Sequence, residues 1–337
     1  MLGAKLQRVY HSGGRYLKNV LRTLPFHTSR PDFKSIETFC AETFPTPKHT
    51  SEPVSVIVVS YNRADDTIRS LSYLYRNLIN PFEVILFDNG SEPECVKKIS
   101  RLARKYNITK IILNESNLGC AGGREAASGH ASHDLLLFID NDILLMPYSV
   151  NHLISRLHSD AKVAAVCCTV VFPDHTIQFS GGSLKMEGKY AIFSVENSGI
   201  HFSDIKEIKN KSCDWIPGGA TLWRRAAYTK YPISPRMKGS FEDNEVSMRL
   251  RSAGFTLLNS PKSFAIHNHW RFKSQEFQRS EAAYVNARYD PQRIGAALRY
   301  FYTTYGKILC YGDTSYPYSE LGLESEKEIV DFLSPET

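Results

Sequence analysis

Apolar and polar positions alternate in blocks through the middle of the chain, and the spacing of the blocks predicts a repeated strand–helix pattern. Val54-Ser-Val-Ile-Val-Val59 is a short β-branched run of the kind that forms a strand buried on both faces. Ile68, Leu71, Leu74 and Leu78 then recur at helical spacing until Pro81 stops the run. Val84 to Phe87 reads as a second strand, and Val96, Ile99, Leu102, Ala103 and Tyr106 mark a second helix. Ile108 to Leu113 is a third strand, the Gly-rich stretch Gly119 to Gly123 opens a short helix, and Leu135 to Ile139 is a fourth strand. Strands and helices at this spacing imply right-handed crossovers and an α/β fold, with a Rossmann-like, mostly parallel central sheet flanked by helices.

Ligands of such sheets bind beyond the carboxyl ends of the strands. The residues just after the four strands are Ser60-Tyr-Asn-Arg63, Asp88-Asn-Gly-Ser91, Asn114-Glu-Ser-Asn117 and Asp140-Asn-Asp142. All four segments are polar and three carry carboxylates, so the expected site is an acid-rich rim.

Composition narrows the class without choosing within it. The chain has 337 residues, 42% hydrophobic and 23% charged, with a net charge of +6. That suits a globular protein with one large α/β domain and an accessory piece. The first 30 residues hold Lys5, Arg8, Arg15, Lys18, Arg22 and Arg30 and no acid. Leu17, Val20, Leu21 and Leu24 fall there at helical spacing, so the arm reads either as peripheral contact with an anionic membrane or as a segment packed on the catalytic domain. No run is long and apolar enough to span a bilayer, and the start lacks an apolar signal core. The seven cysteines form no CxxC pair, and Cys167 and Cys168 lie inside an apolar run. They read as reduced, and the expected compartment is the cytoplasm, at most peripheral to the inner face of the membrane. Nothing beyond the basic arm points to nucleic acid, so none is expected as a partner. The expected divisions are a leader over 1–50, a catalytic domain over 51–270 and a C-terminal helical extension over 271–337. In that extension Ile294 to Tyr302 reads as an aromatic-rich helix that packs on the rest, the alternatives being a cover over the acceptor groove or contact with a membrane surface.

Four constellations could carry chemistry. Asp140-Asn-Asp142 places two carboxylates one residue apart after a buried strand, as a hard cation such as Mn²⁺ or Mg²⁺ needs; the competing reading is a turn capping the next helix. In Asn117 to Arg124, small residues at a helix start let backbone N–H groups approach a phosphate beside Arg124, or simply let the helix pack closely on the sheet. Phe241-Glu242-Asp243 puts two acids in the first turn of a helix carrying Val246 and Leu250 and capped by Gly254, with Glu245 read as an ordinary capping acid. His267-Asn-His269-Trp270 adds two potential metal ligands.

In this order the motifs resemble glycosyltransferase family 2, with its GT-A fold. The likeness runs from Val54 to about Trp270 through VSVIVVSYNR, FDNGS, NLGCAGGR, LLFIDND, DWIPGGATLWRR, FEDNEVSMRLRSAGF and IHNHW. The resemblance implies roles by position. Ser60, Tyr61 and Arg63 belong to the first nucleotide loop, and Asp88 contacts the donor's base. Asp140 and Asp142 form the DxD metal pair, and His267 is a later metal ligand. Asp243 is the general base, preceded by Glu242 in the same donor-facing turn. Gly218 and Gly219 shape the sugar and acceptor pocket, and Arg124 contacts phosphate. Two departures stand out. The segment Tyr231 to Ser240 lacks the usual Gly-Gly-Phe-Asp phrase, and Arg124 replaces a common Asn. The implied reaction is metal-dependent, inverting transfer of a sugar from a nucleotide diphosphate donor, a UDP-sugar first and a dTDP-sugar next. The acceptor is a hydroxyl on a glycan, a lipid-linked saccharide or a protein. The alternatives are a sugar-phosphate nucleotidyltransferase, which would carry a Gly-rich loop where SYNRADD stands, an aspartyl phosphatase, whose acid pair would follow the first strand, and a non-catalytic module on the same fold.

Overall fold

The computed structural model describes residues 33–44, 51–106, 108–204, 211–237, 240–281, 290–312 and 317–334. The basic arm over 1–30 lies outside them. In chain order the elements are α1 (Phe33–Thr43), β1 (Val54–Ser60), α2 (Ala64–Asn77), β2 (Phe82–Asp88), α3 (Pro93–Tyr106), β3 (Lys110–Leu113), α4 (Gly119–Ser128), β4 (Leu135–Asp140) and β5 (Ile143–Leu145). There follow α5 (Ser149–Leu157), β6 (Val163–Val171), β7 (Ile177–Phe179), β8 (Gly182–Glu187), β9 (Tyr190–Val195), β10 (Ser212–Cys213), β11 (Thr221–Arg224) and α6 (Arg225–Lys230). The chain continues through α7 (Glu242–Ser252), β12 (Thr256–His267), α8 (Gln275–Ser280), α9 (Pro291–Tyr305), β13 (Ile308–Tyr311) and α10 (Glu326–Leu333).

The main sheet runs β10-β12-β6-β11-β4-β1-β2-β3. β1, β2, β3 and β4 are parallel neighbours, and β6 pairs parallel with β12. β11 is antiparallel to both β4 and β6, so β12 and β6 point the same way as the first four strands. The mostly parallel sheet read from the sequence is therefore present, with β11, the two-residue β10 and the short β5 and β7 reversed. Because helices cover both faces, β1, β4 and β6 are buried almost throughout, which explains their unbroken β-branched and leucine-rich runs.

A second sheet, β13-β9-β8, joins the C-terminal part to the middle of the chain. The extension is thus helical with one strand, and that strand ties it in register to Tyr190 through Phe193. α9 buries Ile294, Ala297, Leu298 and Phe301, in line with its reading as a packing helix. α1 also packs: its Ile36 and Cys40 are buried in a second core with Leu144, Phe264 and Ile266. Asp140-Asn-Asp142 is followed by β5, so the helix-capping alternative for this acid pair does not hold.

Candidate active site

The carboxyl ends of β1, β4 and β12 and the start of α7 surround a cleft of about 500 Å³. Tyr61, Arg63, Arg124, Asp140, Asp142 and His267 all line it, and so do Gly218, Gly219, Glu242 and Asp243. Ser60 and Asp88 lie beneath the rim. Ser60 Oγ hydrogen-bonds Thr67 Oγ1 at 2.7 Å, and Asp88 Oδ2 accepts from the Ser91 backbone N–H at 3.0 Å. Asp88 Oδ1 is buried with no hydrogen-bond partner, an acceptor left over at the end of β2.

Two arginines organise the acids. Arg124 reaches from α4 to Asp140 Oδ1 at 2.6 Å, with Asp243 Oδ1 at 3.5 Å and Glu242 Oε1 at 3.9 Å. Burial works against its charge, but Asp140, Asp243 and Glu242 more than offset this and hold its pKa above the ordinary value. Two glycines leave the room these side-chain ends occupy. A Cβ on Gly218 would lie 2.0 Å from Arg124 Nη1, and one on Gly219 would lie 2.6 Å from Asp140 Oδ2. In the preceding Gly-rich segment a Cβ on Gly123 would strike Val59 at 2.8 Å, so that glycine serves close packing of α4 on β1.

Arg63 forms the second node. Its Nη1 lies 3.2 Å from Asp142 Oδ2, and its Nε donates to Glu281 Oε2 at 2.6 Å. Asp142 Oδ1 faces His267 Nε2 at 3.4 Å. Burial would raise the Asp142 carboxyl, but His267 with its hydrogen bond, Arg63 and His269 outweigh it and hold that carboxyl well below the usual range. On its other side the His267 ring meets Gln178, whose Oε1 lies 2.7 Å from Nδ1. In the tautomer with its proton on Nδ1, held by Gln178, the Nε2 atom would present a lone pair to Asp142 in place of that hydrogen bond, the form a metal-ligating histidine needs. Two facing acceptors at this separation accommodate a cation between them. Among the described residues no three His, Cys, Asp or Glu side chains converge as a metal cage, so a cation here would take the rest of its shell from elsewhere.

The cleft therefore holds Asp140, Asp142, Glu242 and Asp243 on its walls, with Glu281 behind Arg63, against the guanidiniums of Arg63, Arg124 and Arg293. Cys120, also on the wall, has its thiol pushed up by burial, which removes it as a nucleophile. The sequence did not single out Gln178, Glu281, Trp215 or Tyr311. Trp215 and Tyr311 line the cleft and meet edge to face, ring centroids 5.9 Å apart. Only Trp215 lay inside a noticed motif. Glu245 departs from its reading as a cap: it is fully buried and held by Arg249 Nε at 2.7 Å and Tyr305 Oη at 2.6 Å.

A sheet whose parallel strands end on an acid pair, with a reversed β11 feeding two glycines into the same cleft, defines the GT-A class of glycosyltransferase folds. Residues 55–231, just over half of the chain, match the family model described as Glycosyl transferase family 2, and the chain belongs to that family. The O-antigen chain rhamnosyltransferase RfbN of Salmonella typhimurium is 21% identical over 67% of this chain and 69% of its own length. An uncharacterised glycosyltransferase of Haemophilus influenzae is 30% identical over 33% of this chain and 36% of its own. YwdF of Bacillus subtilis, also an uncharacterised glycosyltransferase, is 26% identical over 33% of this chain and 43% of its own. The match thus spans less than half the length of those last two relatives. The fold is similar to a crystal structure of GalNAc-T7 with UDP, GalNAc and Mn²⁺, at a TM-score of 0.55 and 16% identity, covering 74% of this chain and 52% of that one.

Proposed function

We propose that this chain transfers a sugar from a nucleoside diphosphate donor to an acceptor hydroxyl in a divalent-metal-dependent, inverting reaction. The observation that carries the proposal is the charge of the cleft. Four carboxylates on its walls and a fifth behind Arg63 outnumber the three guanidiniums that line it, so a diphosphate enters more favourably with a cation. Asp142 and His267 are the residues that would hold Mn²⁺ or Mg²⁺, with Asp140 on the same rim. When bound, the ion neutralises charge on the departing diphosphate. Likeness to GalNAc-T7, solved with UDP, GalNAc and Mn²⁺, supports UDP first among donors, with dTDP next.

The chain's own side chains supply the remainder. Asp243, in the first turn of α7, takes the proton of the acceptor hydroxyl. The hydroxyl oxygen then bonds to the anomeric carbon from the face opposite the diphosphate, which leaves with the electrons of the broken C–O bond. A single displacement inverts the anomeric centre. Arg124 sits between Asp140 and Asp243 and fixes the spacing of donor and base. Tyr61 and Arg63 border the nucleotide side, with Asp88 beneath them offering an acceptor to the base.

The glycan, lipid-linked or protein acceptor enters from the side of Trp215 and Tyr311. Among the described residues no helix is long and apolar enough to cross a membrane, and the proposed setting is the cytoplasm. The test is a panel of nucleotide sugars with Mn²⁺, reading released nucleoside diphosphate. One donor is expected to turn over, and excess EDTA or Asp142→Ala should remove nearly all of that turnover. Full activity in EDTA would sink the metal-dependent reading, and no turnover of any donor would count against the transferase itself.

A further inference from the structure

A second concavity of about 830 Å³ opens beside the catalytic cleft, between α9 and the turn over Pro235–Met237. Arg293 lines both, so the two adjoin at that side chain. Arg236, Arg293 and Arg299 line the second groove, and Asp290 is the only acid on it among the described residues. The Asp290 carboxylate is already engaged: it accepts from the Gln292 backbone N–H at 2.9 Å as the cap of α9. Arg236 and Arg299 have no carboxylate within ion-pair distance among the described residues. Their guanidiniums lie over aromatic rings instead, Arg236 5.7 Å from the Tyr300 centroid and Arg299 4.6 Å from that of Phe332. Rings that hold a guanidinium by its face leave its N–H edge directed outward. Gln292 and Thr303 add polar side chains to the same wall.

We propose that this groove is an acceptor subsite for a phosphate group, carried on the saccharide whose hydroxyl reacts in the adjoining cleft. The inference rests on the glycosyltransferase reading above and adds the chemical class of the acceptor. Arginine forks bind phosphate oxygens in pairs, and an acid-poor wall of three of them complements a dianion. Arg293 and Arg299 are six residues apart on α9, about 9 Å along its axis, so the phosphate sits away from the reacting hydroxyl. Arg236 belongs to the segment Tyr231 to Ser240, where the sequence departs from the phrase usual in similar chains. The negative catalytic cleft and the positive groove beside it then orient one acceptor: its neutral, hydroxyl-bearing end faces the base, and its anionic end stays outside.

The test uses the full chain with saturating UDP and Mn²⁺, so that the donor site is filled, and measures binding of glucose, glucose 6-phosphate and inorganic phosphate by ligand-observed NMR. Glucose 6-phosphate is expected to bind at least about tenfold more tightly than glucose, the scale of one charge-assisted hydrogen bond. Added salt should weaken it. The exposed double variant R236A/R299A should lose the difference between the two sugars. Donor-only release of nucleoside diphosphate should be unchanged in that variant, which reports on the transferase reading separately. Equal binding of both sugars by the wild type, or undiminished binding of glucose 6-phosphate by the variant, overturns the subsite. Inorganic phosphate binding as tightly as glucose 6-phosphate also overturns it, since the groove would then hold a bare anion and not a saccharide.

Discussion

Asp243 and Gln178 show how much single atoms decide in this cleft. Asp243 stands in the first turn of α7, with Arg124 3.5 Å away, and is the base in the reaction proposed above. Asp243→Asn keeps shape and removes the basic oxygen. Turnover should fall by about a hundredfold or more while donor affinity stays unchanged, measured as kcat against donor Kd. Equal losses in both would move Asp243 from base to donor contact. Gln178 touches no substrate atom in this scheme; it holds His267 Nδ1 at 2.7 Å. Gln178→Leu should weaken Mn²⁺ binding by about 10–100-fold, read by electron paramagnetic resonance titration without any turnover. An unchanged Mn²⁺ affinity would mean that the ring is oriented by its stacking on Phe172 instead.

At the level of elements, the strands and helices up to β4 were legible because each follows one period of apolar residues from one breaker to the next. The third strand starts two residues later than its apolar run, at Lys110, because only the end of that run pairs with β2. The first turn of α7 was legible from Glu242 and Asp243 for the same local reason. What the sequence hid is cross-chain. Gln178 sits on the three-residue β7, too short to show alternation, and Glu281 reaches Arg63 from 218 positions away. Glu245 belongs to this hidden class. It reads as one more acid in a helix start, yet it is the buried link between α7 and the end of α9. Tyr305→Phe leaves that carboxylate with Arg249 alone. The loss should be about 2 kcal/mol, the usual scale for a hydrogen bond to a charged group. Thermal unfolding should show it as a drop of a few degrees in Tm. No change in Tm would mean that water replaces the tyrosine hydroxyl at no cost.

Across the whole molecule, the catalytic cleft gathers residues from both ends of the described chain. Lys273 meets Asp66 and Asn268 approaches the same carboxylate, so the stretch after β12 is fastened to the start of α2 at several points. The parallel half of the sheet needs only residues up to β4. The acid-rich centre needs His267 from the last strand of the main sheet and Glu281 beyond it.

This arrangement bears on synthesis at the ribosome. A nascent chain can complete β1 to β4 and the helices between them long before Glu281 has emerged. Through that interval Arg63 and Asp142 are in place, while the histidine and the carboxylate that flank them in the finished protein do not yet exist. On the reading proposed above, a half-made chain therefore lacks half of the pair that would hold the cation, and a chain terminated before His267 should release no nucleoside diphosphate.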